Sequence, residues 1–208
     1  MKVVGLTGSI GMGKTTAAAL LRRLGVPVHE ADAAVHRLME RGGAAVPPIE
    51  RAFPGVVKDG AVDRATLGAR VFGNGKAMAR LEGILHPLVR EESARFLNRA
   101  RRRGARVAVL DIPLLFESGR ERDMDASVVV TAPAFVQRAR VLTRPGMTPK
   151  RFQQVLARQM PDAEKRRRAD FIVPTGLGRR LTLRRLLRVL KRLEHAPAQG
   201  KRRYRRRL

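Results

Sequence analysis

Residues 8–15, which read Gly-Ser-Ile-Gly-Met-Gly-Lys-Thr, constrain the fold of this chain more than any other stretch. They match the pattern Gly, four residues, Gly-Lys-Ser/Thr, and they lie between an apolar stretch that predicts a short strand, residues 1–7, and an apolar helical pattern. Glycines let successive backbone N–H groups turn into one concavity, to which the N-terminus of the following helix adds positive potential. The pattern therefore predicts a phosphate-binding loop, a P-loop, with Lys14 at the outer phosphates and the Thr15 hydroxyl on Mg²⁺.

A glycine-rich turn without chemical function is the alternative interpretation of this stretch. It is disfavoured because the strand, the loop, the Lys-Thr pair and the helix all fall in the register that phosphate binding requires. We therefore expect the chain to bind a nucleoside triphosphate, with nucleotide contacts at Gly8, Gly11, Met12, Gly13, Lys14, Thr15 and Thr16.

The charge of the chain requires an explanation of its own. Its 208 residues include 44 Lys and Arg against 18 Asp and Glu, a formal net charge of +26, and such a surface attracts polyanions. A nucleic-acid partner is one explanation, and an arginine-rich composition around anionic small ligands is the other. Aromatic residues make up only 4% of the chain and Trp is absent, which leaves little material for base-stacking platforms. We expect any nucleic-acid binding to be non-specific.

Length and residue usage also bound the class of protein. A chain of 208 residues predicts one elaborated domain rather than two. Cysteine is absent, which excludes disulfides and thiolate metal sites, and no apolar run approaches the length of a membrane span. The N-terminus enters a strand without an apolar leader. These features predict a cytoplasmic protein without membrane contact, and the like-charge block at residues 201–208 predicts a disordered basic tail.

The second predicted strand brings an acid to the edge where ligands bind. Residues 15–24 carry apolar side chains at helical spacing up to Gly25, and residues 27–30 predict the next strand. Asp32 follows that strand closely, and in open parallel sheets ligands lie at the carboxyl ends of the strands. Topology alone therefore places Asp32 near the phosphate loop.

Residues 33–104 are predicted to be almost entirely helical, with breaks at glycine and proline clusters. A helical excursion of this length between two strands is an insertion, which commonly holds a second substrate. Its last helix, residues 76–103, contains Pro87, which should kink or split it. His86 precedes that proline. It has either a functional role or the role of a helix-end histidine that bonds to the backbone, and the sequence does not decide between them.

The third strand, residues 106–112, contains Asp111 at its end, a position of the Walker-B type that can meet Mg²⁺ directly or through water. Residues 126–131 predict a fourth strand, and helices at 133–142 and 148–159 follow it. Arginines along these helices indicate a mobile lid that brings guanidinium groups over phosphate, the alternative being a solvated basic face. The arginines concerned are Arg138, Arg140, Arg144, Arg151 and Arg158.

A fifth strand at residues 170–173 and an amphipathic helix at residues 181–193 complete the predicted fold. The fold class is α/β: a P-loop NTPase fold with a five-stranded parallel sheet, a helix after each strand, a helical substrate-binding insertion and an arginine-bearing lid. We expect one domain over residues 1–200, with the core at about 1–31, 105–137 and 169–195, the insertion at about 32–104 and the lid at about 138–168.

Two broad classes share this organisation, small-molecule kinases and switch or motor NTPases. The Asn-Lys-x-Asp element with which GTPases read guanine is missing, and Asp111 is followed by Ile112 and Pro113, so the acid pair of motor ATPases is missing too. The acid after the second strand, the helical insertion and the arginine-bearing segment favour a kinase.

Five stretches of the sequence form a more specific combination. They are GLTGSIGMGKTT at residues 5–16, EAD at 30–32, HPLV at 86–89, DIPLLFE at 111–117 and RQM...EK...ADF within 158–171. The combination resembles the dephospho-coenzyme A kinase family over roughly residues 1–195, in order and spacing. HPLV together with DIPLLFE is much more specific than the P-loop.

The resemblance implies transfer of the ATP γ-phosphoryl group to the ribose 3′-hydroxyl of dephospho-coenzyme A, the last step of coenzyme A biosynthesis, with Mg²⁺ as cofactor and ATP as co-substrate. It implies that Asp32 is the catalytic base, and Gln137-Arg138 and Arg144 match the family's lid positions. Lys14, Arg138 and Arg144 would complete the catalytic set, and Thr15 and Asp111 would hold the metal. Acceptor contacts are implied at Asp32, His86, Pro113, Leu114, Leu115 and Arg158.

The chain departs from the family pattern at two positions. Glu30 stands where the family often has Asp, which keeps the charge. Residues 174–176, Pro-Thr-Gly, stand where the family commonly has Asn and Gly near the adenine, so base contacts there are expected to differ.

Another P-loop nucleoside or nucleotide kinase and an RNA-associated NTPase are the alternative functions. The expected partners are ATP and dephospho-coenzyme A, with no membrane, and the expected assembly is a monomer or a weak homo-oligomer.

Overall fold

A computed structural model describes residues 1–195, so the predicted basic tail at residues 201–208 lies outside the described residues. The chain divides into two compact units. The first comprises Met1–His29 together with the described residues from Arg99 onwards, and the second comprises Glu30–Asn98. None of the helices within residues 1–195 combines the length and the apolar character that crossing a bilayer requires.

The described residues form seven strands, nine α-helices and one 3₁₀ turn. In chain order they are β1 (Lys2–Thr7), α1 (Lys14–Arg23), β2 (Val28–Glu30), α2 (Ala31–Met39), α3 (Val46–Ala52), β3 (Val57–Lys58), β4 (Ala61–Val62), α4 (Arg64–Val71), α5 (Gly75–Arg102), β5 (Val107–Asp111), a 3₁₀ turn (Arg120–Asp123), β6 (Ala126–Thr131), α6 (Ala134–Leu142), α7 (Pro149–Ala157), α8 (Asp162–Arg168), β7 (Phe171–Pro174) and α9 (Arg179–His195).

A five-stranded sheet organises the first unit, with the strand order β2-β5-β1-β6-β7. β1 pairs in parallel with β5 on one side and with β6 on the other, and β6 pairs in parallel with β7. Strands that are covered on both faces read as continuous apolar runs, and β5 is buried at every position. The predicted fold class, a parallel five-stranded sheet flanked by helices, is confirmed.

Helices α1 and α9 supply much of the apolar cover of the sheet. α1 contributes Ala17 and Leu21 and α9 contributes Leu186 to one buried cluster that also contains Val4 and Leu6 of β1. Burying a leucine of this kind contributes roughly 1.5–3 kcal/mol. The central strand is therefore fixed by packing, and so is the start of the loop that follows it.

The predicted helix boundaries in the first unit agree with the structure where a capping residue defines them. Gly25 ends α1 with φ 76°, and its N–H donates to the Arg22 carbonyl oxygen at 2.9 Å. Thr148 precedes α7, and its Oγ1 accepts from the backbone N–H of Arg151 at 3.2 Å.

The second unit is built around a short hairpin and its flanking helices. The carboxylate of Glu50, in α3, accepts from the backbone N–H groups of Gly55 at 2.6 Å and Val57 at 3.0 Å, which orders the entry into β3. Asp63 caps α4, and the side-chain hydrogen bond from Lys58, followed by backbone and hydroxyl bonds from Thr66, holds the pKa of Asp63 well below its usual range.

Two sequence predictions of secondary structure are wrong. Residues 57–62 of the insertion form an antiparallel hairpin instead of helix, because Asp59 and Gly60 both adopt positive φ, 51° and 77°, as a tight two-residue turn requires. The prediction of a helix after every strand is wrong at β5, because residues 113–119 form turns that end at Gly119 with φ 68°. The helix predicted to kink or split at Pro87 is not split, and α5 continues past that residue.

Candidate active site

The loop between β1 and α1, residues 8–13, lies at the carboxyl end of the central strand of the sheet. α1 begins at Lys14, and its N-cap Gly13 makes no side-chain hydrogen bond because it has no side chain. The first N–H groups of α1 therefore keep their capacity for an anion, which the positive end of the helix also attracts.

Close packing makes glycine necessary in this loop. A Cβ atom on Gly8 would lie 2.5 Å from Val130 Cγ2, and one on Gly11 would lie 2.5 Å from Val141 Cγ2. Gly11 also has φ 76°, a conformation that costs a non-glycine residue roughly 1–2 kcal/mol. At Gly8 and Gly11 the loop backbone thus contacts β6 and α6 too closely to leave room for a side chain.

Two amide side chains hold the backbone of Ile10. The Ile10 N–H donates to Gln159 Oε1 at 3.0 Å, and Gln137 Nε2 donates to the Ile10 carbonyl oxygen at 2.8 Å. Gln137 lies in α6, directly before the range predicted as a lid. Gln159 lies just after α7, within that range. Part of that range is therefore bonded directly to the phosphate loop.

The next two carbonyl groups of the loop also point towards side chains. Thr175 Oγ1 donates to the Met12 carbonyl oxygen at 2.7 Å, and Arg140 Nη1 approaches the Gly11 carbonyl oxygen at 3.5 Å. Arg140 in turn donates to Thr175 Oγ1 at 3.1 Å and to the Thr175 carbonyl oxygen at 2.8 Å. Three successive carbonyl groups are thus bonded on the side of these side chains. Because the Met12 N–H donates to the Ser9 carbonyl oxygen at 3.1 Å, the concavity is left to the N–H groups of Gly11 and Gly13 and to the first turn of α1.

An ion pair lies beside the loop. Lys14 Nζ is 2.6 Å from Asp111 Oδ1, and the Asp111 carboxylate, at the end of β5, is almost completely buried. Charge-assisted bonds of this length are among the stronger ones in proteins. The structure therefore brings together the predicted phosphate-binding lysine and the predicted metal-binding acid.

The residues present fit a magnesium ion. Thr15 follows Lys14 directly and is exposed, and the Asp111 carboxylate contacts that lysine, so a residue with a hydroxyl group and one with a carboxylate both neighbour Lys14. Oxygen donors of this type suit Mg²⁺, which usually binds few protein groups together with substrate phosphates. Within residues 1–195 no cluster of three or more His, Cys, Asp or Glu side chains could hold a metal.

The structure distinguishes among the predicted arginines. Arg138 and Arg144 are exposed and Arg140 is half-buried against the loop, where it makes the contacts given above. Arg158 is also exposed, at the end of α7. Sequence reasoning missed the anchoring roles of Arg140, Thr175 and Gln159, because each of these residues meets the loop through a contact that spans 129 to 163 positions.

The segment after Asp111 has alternating exposure. Leu114 is 44% exposed, whereas Leu115 is completely buried and would lie 2.7 Å from a Cβ atom on Gly5. Leu115 therefore packs in the core beside the central strand, and the accessible part of this predicted acceptor-binding stretch consists of Pro113 and Leu114.

Two predicted site residues belong to the second unit. Asp32 lies in the first turn of α2, is exposed, and follows the last residue of β2 by two positions. His86 is an exposed residue inside α5 and does not lie at a helix end, so the predicted bond of a helix-terminal histidine does not apply.

Comparison with known proteins gives consistent matches. A family model described as dephospho-CoA kinase matches residues 2–176, a range that contains the loop, Asp111 and Thr175. The chain is 65% identical to the dephospho-CoA kinase of Paramagnetospirillum magneticum over 80% of this chain and 78% of that protein, and 60% identical to that of Mesorhizobium japonicum over 86% of this chain and 89% of that protein. The crystal structure of TT1252 from Thermus thermophilus matches with a TM-score of 0.83 at 35% identity, over 94% of this chain and 98% of that chain.

The packing of Gly11 gives a testable prediction, for which Gly25 is the matched control. Both residues have φ 76°, but only Gly11 has neighbours where a Cβ atom would lie. Gly25→Ala should cost about 1–2 kcal/mol of unfolding free energy from backbone strain alone. Gly11→Ala should cost about 1–3 kcal/mol more from overpacking and should also weaken MgATP binding. Urea unfolding and calorimetric titration would measure both, and equal losses in the two variants would contradict the prediction.

Proposed function

The chain belongs to the dephospho-CoA kinase family, and we propose that its phosphate loop, Asp111 and Asp32 carry out that family's reaction. As a member of the family it is an ATP-dependent kinase. It transfers the γ-phosphoryl group of ATP to the ribose 3′-hydroxyl of dephospho-CoA and releases CoA and ADP, the final step of CoA biosynthesis. The observation that carries the proposal is the anchored loop with its Lys14–Asp111 pair.

The donor half of the reaction depends on charge placement. The transition state of phosphoryl transfer is loose and spreads negative charge over the γ-phosphate oxygens, so positioning and electrostatics supply most of the acceleration. The N–H groups of the loop would hold the β- and γ-phosphates. Lys14, held beside them by Asp111, would contribute a positive charge that moves on a flexible stem.

Magnesium would be held by the Thr15 hydroxyl and, directly or through water, by the Asp111 carboxylate. When bound, it neutralises charge on the β- and γ-phosphates. The buried position of Asp111 restricts the carboxylate to a narrow range of orientations, which suits a group that must meet both Lys14 and a metal ligand shell.

Asp32 is the proposed general base for the acceptor. Its place in the first turn of α2, directly after a strand of the sheet, supports this role, and so does its exposure, which leaves the carboxylate accessible to a substrate hydroxyl. Asp32 would orient the 3′-hydroxyl and take its proton late, because that hydroxyl becomes acidic only as the new P–O bond forms. The exposed apolar side chain of Leu114 is a proposed acceptor contact.

Arginines would complete the site from α6 and its neighbours. Arg140 contacts the loop backbone, and the exposed residues Arg144 and Arg158 remain proposed phosphate or acceptor contacts, since guanidinium groups bind phosphate oxygens well. The proposed catalytic role of Arg138 has the weakest structural support. Arg138 is exposed, whereas its neighbour in α6, Gln137, is the residue that contacts the loop. Closure of such groups over the transferred phosphate would exclude water and limit ATP hydrolysis.

We further propose a cytoplasmic monomer or weak homo-oligomer that acts on small-molecule substrates. The basic surface would bind nucleic acid only non-specifically, through phosphate contacts that weaken steeply with salt.

The acceptor is tested directly by incubating the purified protein with MgATP and dephospho-CoA and analysing the product by mass spectrometry and by its phosphate position. A 3′-phosphorylated product, CoA, is expected. Nucleosides, nucleotides and shikimate serve as control acceptors and should remain unmodified. Folded protein that forms no CoA, or that phosphorylates a control acceptor faster, would overturn the proposal.

The two proposed roles of Asp32 and Lys14 predict different kinetic defects. Asp32→Asn keeps the shape of the side chain and should leave the dissociation constant of MgATP unchanged while lowering kcat by about 10² or more. Lys14→Ala should weaken MgATP binding and lower kcat together, because it removes a charge from the phosphates in both ground and transition states. Full turnover in Asp32→Asn would exclude the base role, and unchanged MgATP affinity in Lys14→Ala would exclude the phosphate role.

A further inference from the structure

Lys165 is the only charged side chain among residues 1–195 that is completely buried. It lies in α8, and its Nζ is 2.9 Å from Glu117 Oε1 and 3.3 Å from the Pro113 carbonyl oxygen. Removing an ammonium group from water is costly even when it is paired, so its ion pair is by itself weak support for stability. The proposed reaction uses neither Lys165 nor Glu117, so the pair requires another explanation.

The two partners of Lys165 lie at the two ends of one short segment, residues 113–117, which we call the β5 loop. Pro113 also accepts a hydrogen bond from Thr7 Oγ1 at 2.8 Å, and Glu117 Oε1 also accepts from the backbone N–H of Met160 at 2.8 Å. Each end of the β5 loop thus accepts from two donors, and the Lys165 side chain bonds to both ends.

The β5 loop lies where ligands of parallel sheets bind. It begins two residues after Asp111, which contacts Lys14, at the carboxyl end of β5. Between its two anchored ends Leu114 is 44% exposed, while Leu115 and Phe116 are buried. The geometry therefore presents one apolar side chain on a short, fixed segment beside the phosphate loop.

We propose that Lys165 is a positioning residue for the acceptor: by bonding to Pro113 and Glu117 it fixes the β5 loop so that Pro113 and Leu114 contact the acceptor substrate. This inference rests on the proposed function, since it takes dephospho-CoA as the acceptor. A segment held at both ends pays less ordering entropy when substrate binds. The expected defect of a Lys165 variant therefore lies in acceptor binding and leaves ATP binding intact.

Lys165→Met tests the proposal, because methionine has a similar length and carries no charge. We expect the KM for dephospho-CoA to rise about tenfold, as the loss of one charge-assisted hydrogen bond predicts, with the KM for ATP within about twofold of the wild type. Arg168→Met is the matched control. It removes a positive charge from the same helix, but Arg168 is exposed and pairs with Glu164 at the surface, so both KM values should stay unchanged.

A second variant separates positioning from stability. Lys165→Met alone leaves the Glu117 carboxylate without its partner, and the protein is expected to melt at a lower temperature. In Lys165→Met/Glu117→Gln both charges are removed, while the glutamine amide oxygen can still accept from the Met160 N–H. The melting temperature should recover, but the KM for dephospho-CoA should stay about tenfold high, because the Pro113 carbonyl oxygen still lacks its donor from Lys165. If Lys165→Met does not fold, this double variant carries the test.

Recovery of both the melting temperature and the acceptor KM in the double variant would show that Lys165 is merely structural and would overturn the proposal. An equal rise of the KM for ATP, or wild-type acceptor kinetics in Lys165→Met, would overturn it too.

Hydrogen exchange across residues 112–118 measures the order of the β5 loop without any substrate, and protection of these amides should fall in both Lys165 variants. Lost protection together with a wild type that forms no CoA would refute the proposed function, and unchanged protection would refute the positioning role.

Discussion

The hydrogen bond from Thr175 Oγ1 to the Met12 carbonyl oxygen, at 2.7 Å, fixes the element on which the site depends. A phosphate loop works only if its carbonyl groups turn outwards, because an inward carbonyl would repel the anion that the N–H groups attract. Here the carbonyl groups of Ile10, Gly11 and Met12 face Gln137, Arg140 and Thr175 in turn. The shape of the anion site is thus set by side chains that come from more than 120 residues further along the chain.

This arrangement connects the fold to the chemistry. The central position of β1 delivers the loop to the carboxyl edge of the sheet, and β5 delivers Asp111 to the same edge, where it pairs with Lys14. Dipoles and charges that are already oriented need no reorganisation as charge develops on the transferred phosphate, and such preorganisation is usually the largest single contribution to catalysis. The placement of the donor half at this edge, with Lys14 beside Asp111, therefore follows from the parallel sheet.

The sequence predicts a donor half at all because the information for it is local. The Gly-Lys-Thr pattern, the flanking strand and the flanking helix lie within some twenty residues, and the order of strands and helices then indicates the fold class. The signal for the hairpin at residues 57–62 is local too, since Asp59-Gly60 is a strong turn dipeptide between two short strands. The prediction of helix is wrong there because the same dipeptide is also typical of a break between helices.

Contacts between distant residues explain what the sequence does not predict. Nothing near Arg140 distinguishes it from Arg138 in a chain with 44 Lys and Arg, and only the packing of α6 shows which of the two lies against the loop. Lys165 shows the same limit. Three arginines follow it in α8, and the sequence does not indicate that the lysine is buried while those arginines are exposed. Leu115 illustrates the converse, since a motif residue expected at the acceptor proves to be part of the core.

The dissociation constant of MgATP for Thr175→Val, measured by calorimetric titration, tests most directly whether the loop is held in shape by these distant contacts. Valine has nearly the same size as threonine but lacks the hydroxyl that donates to Met12 and accepts from Arg140. Losing a buried hydrogen bond of this kind costs roughly 1–3 kcal/mol. If the loop depends on this bond, the dissociation constant should rise about tenfold while the fold is kept. An unchanged MgATP affinity in folded Thr175→Val would contradict the account.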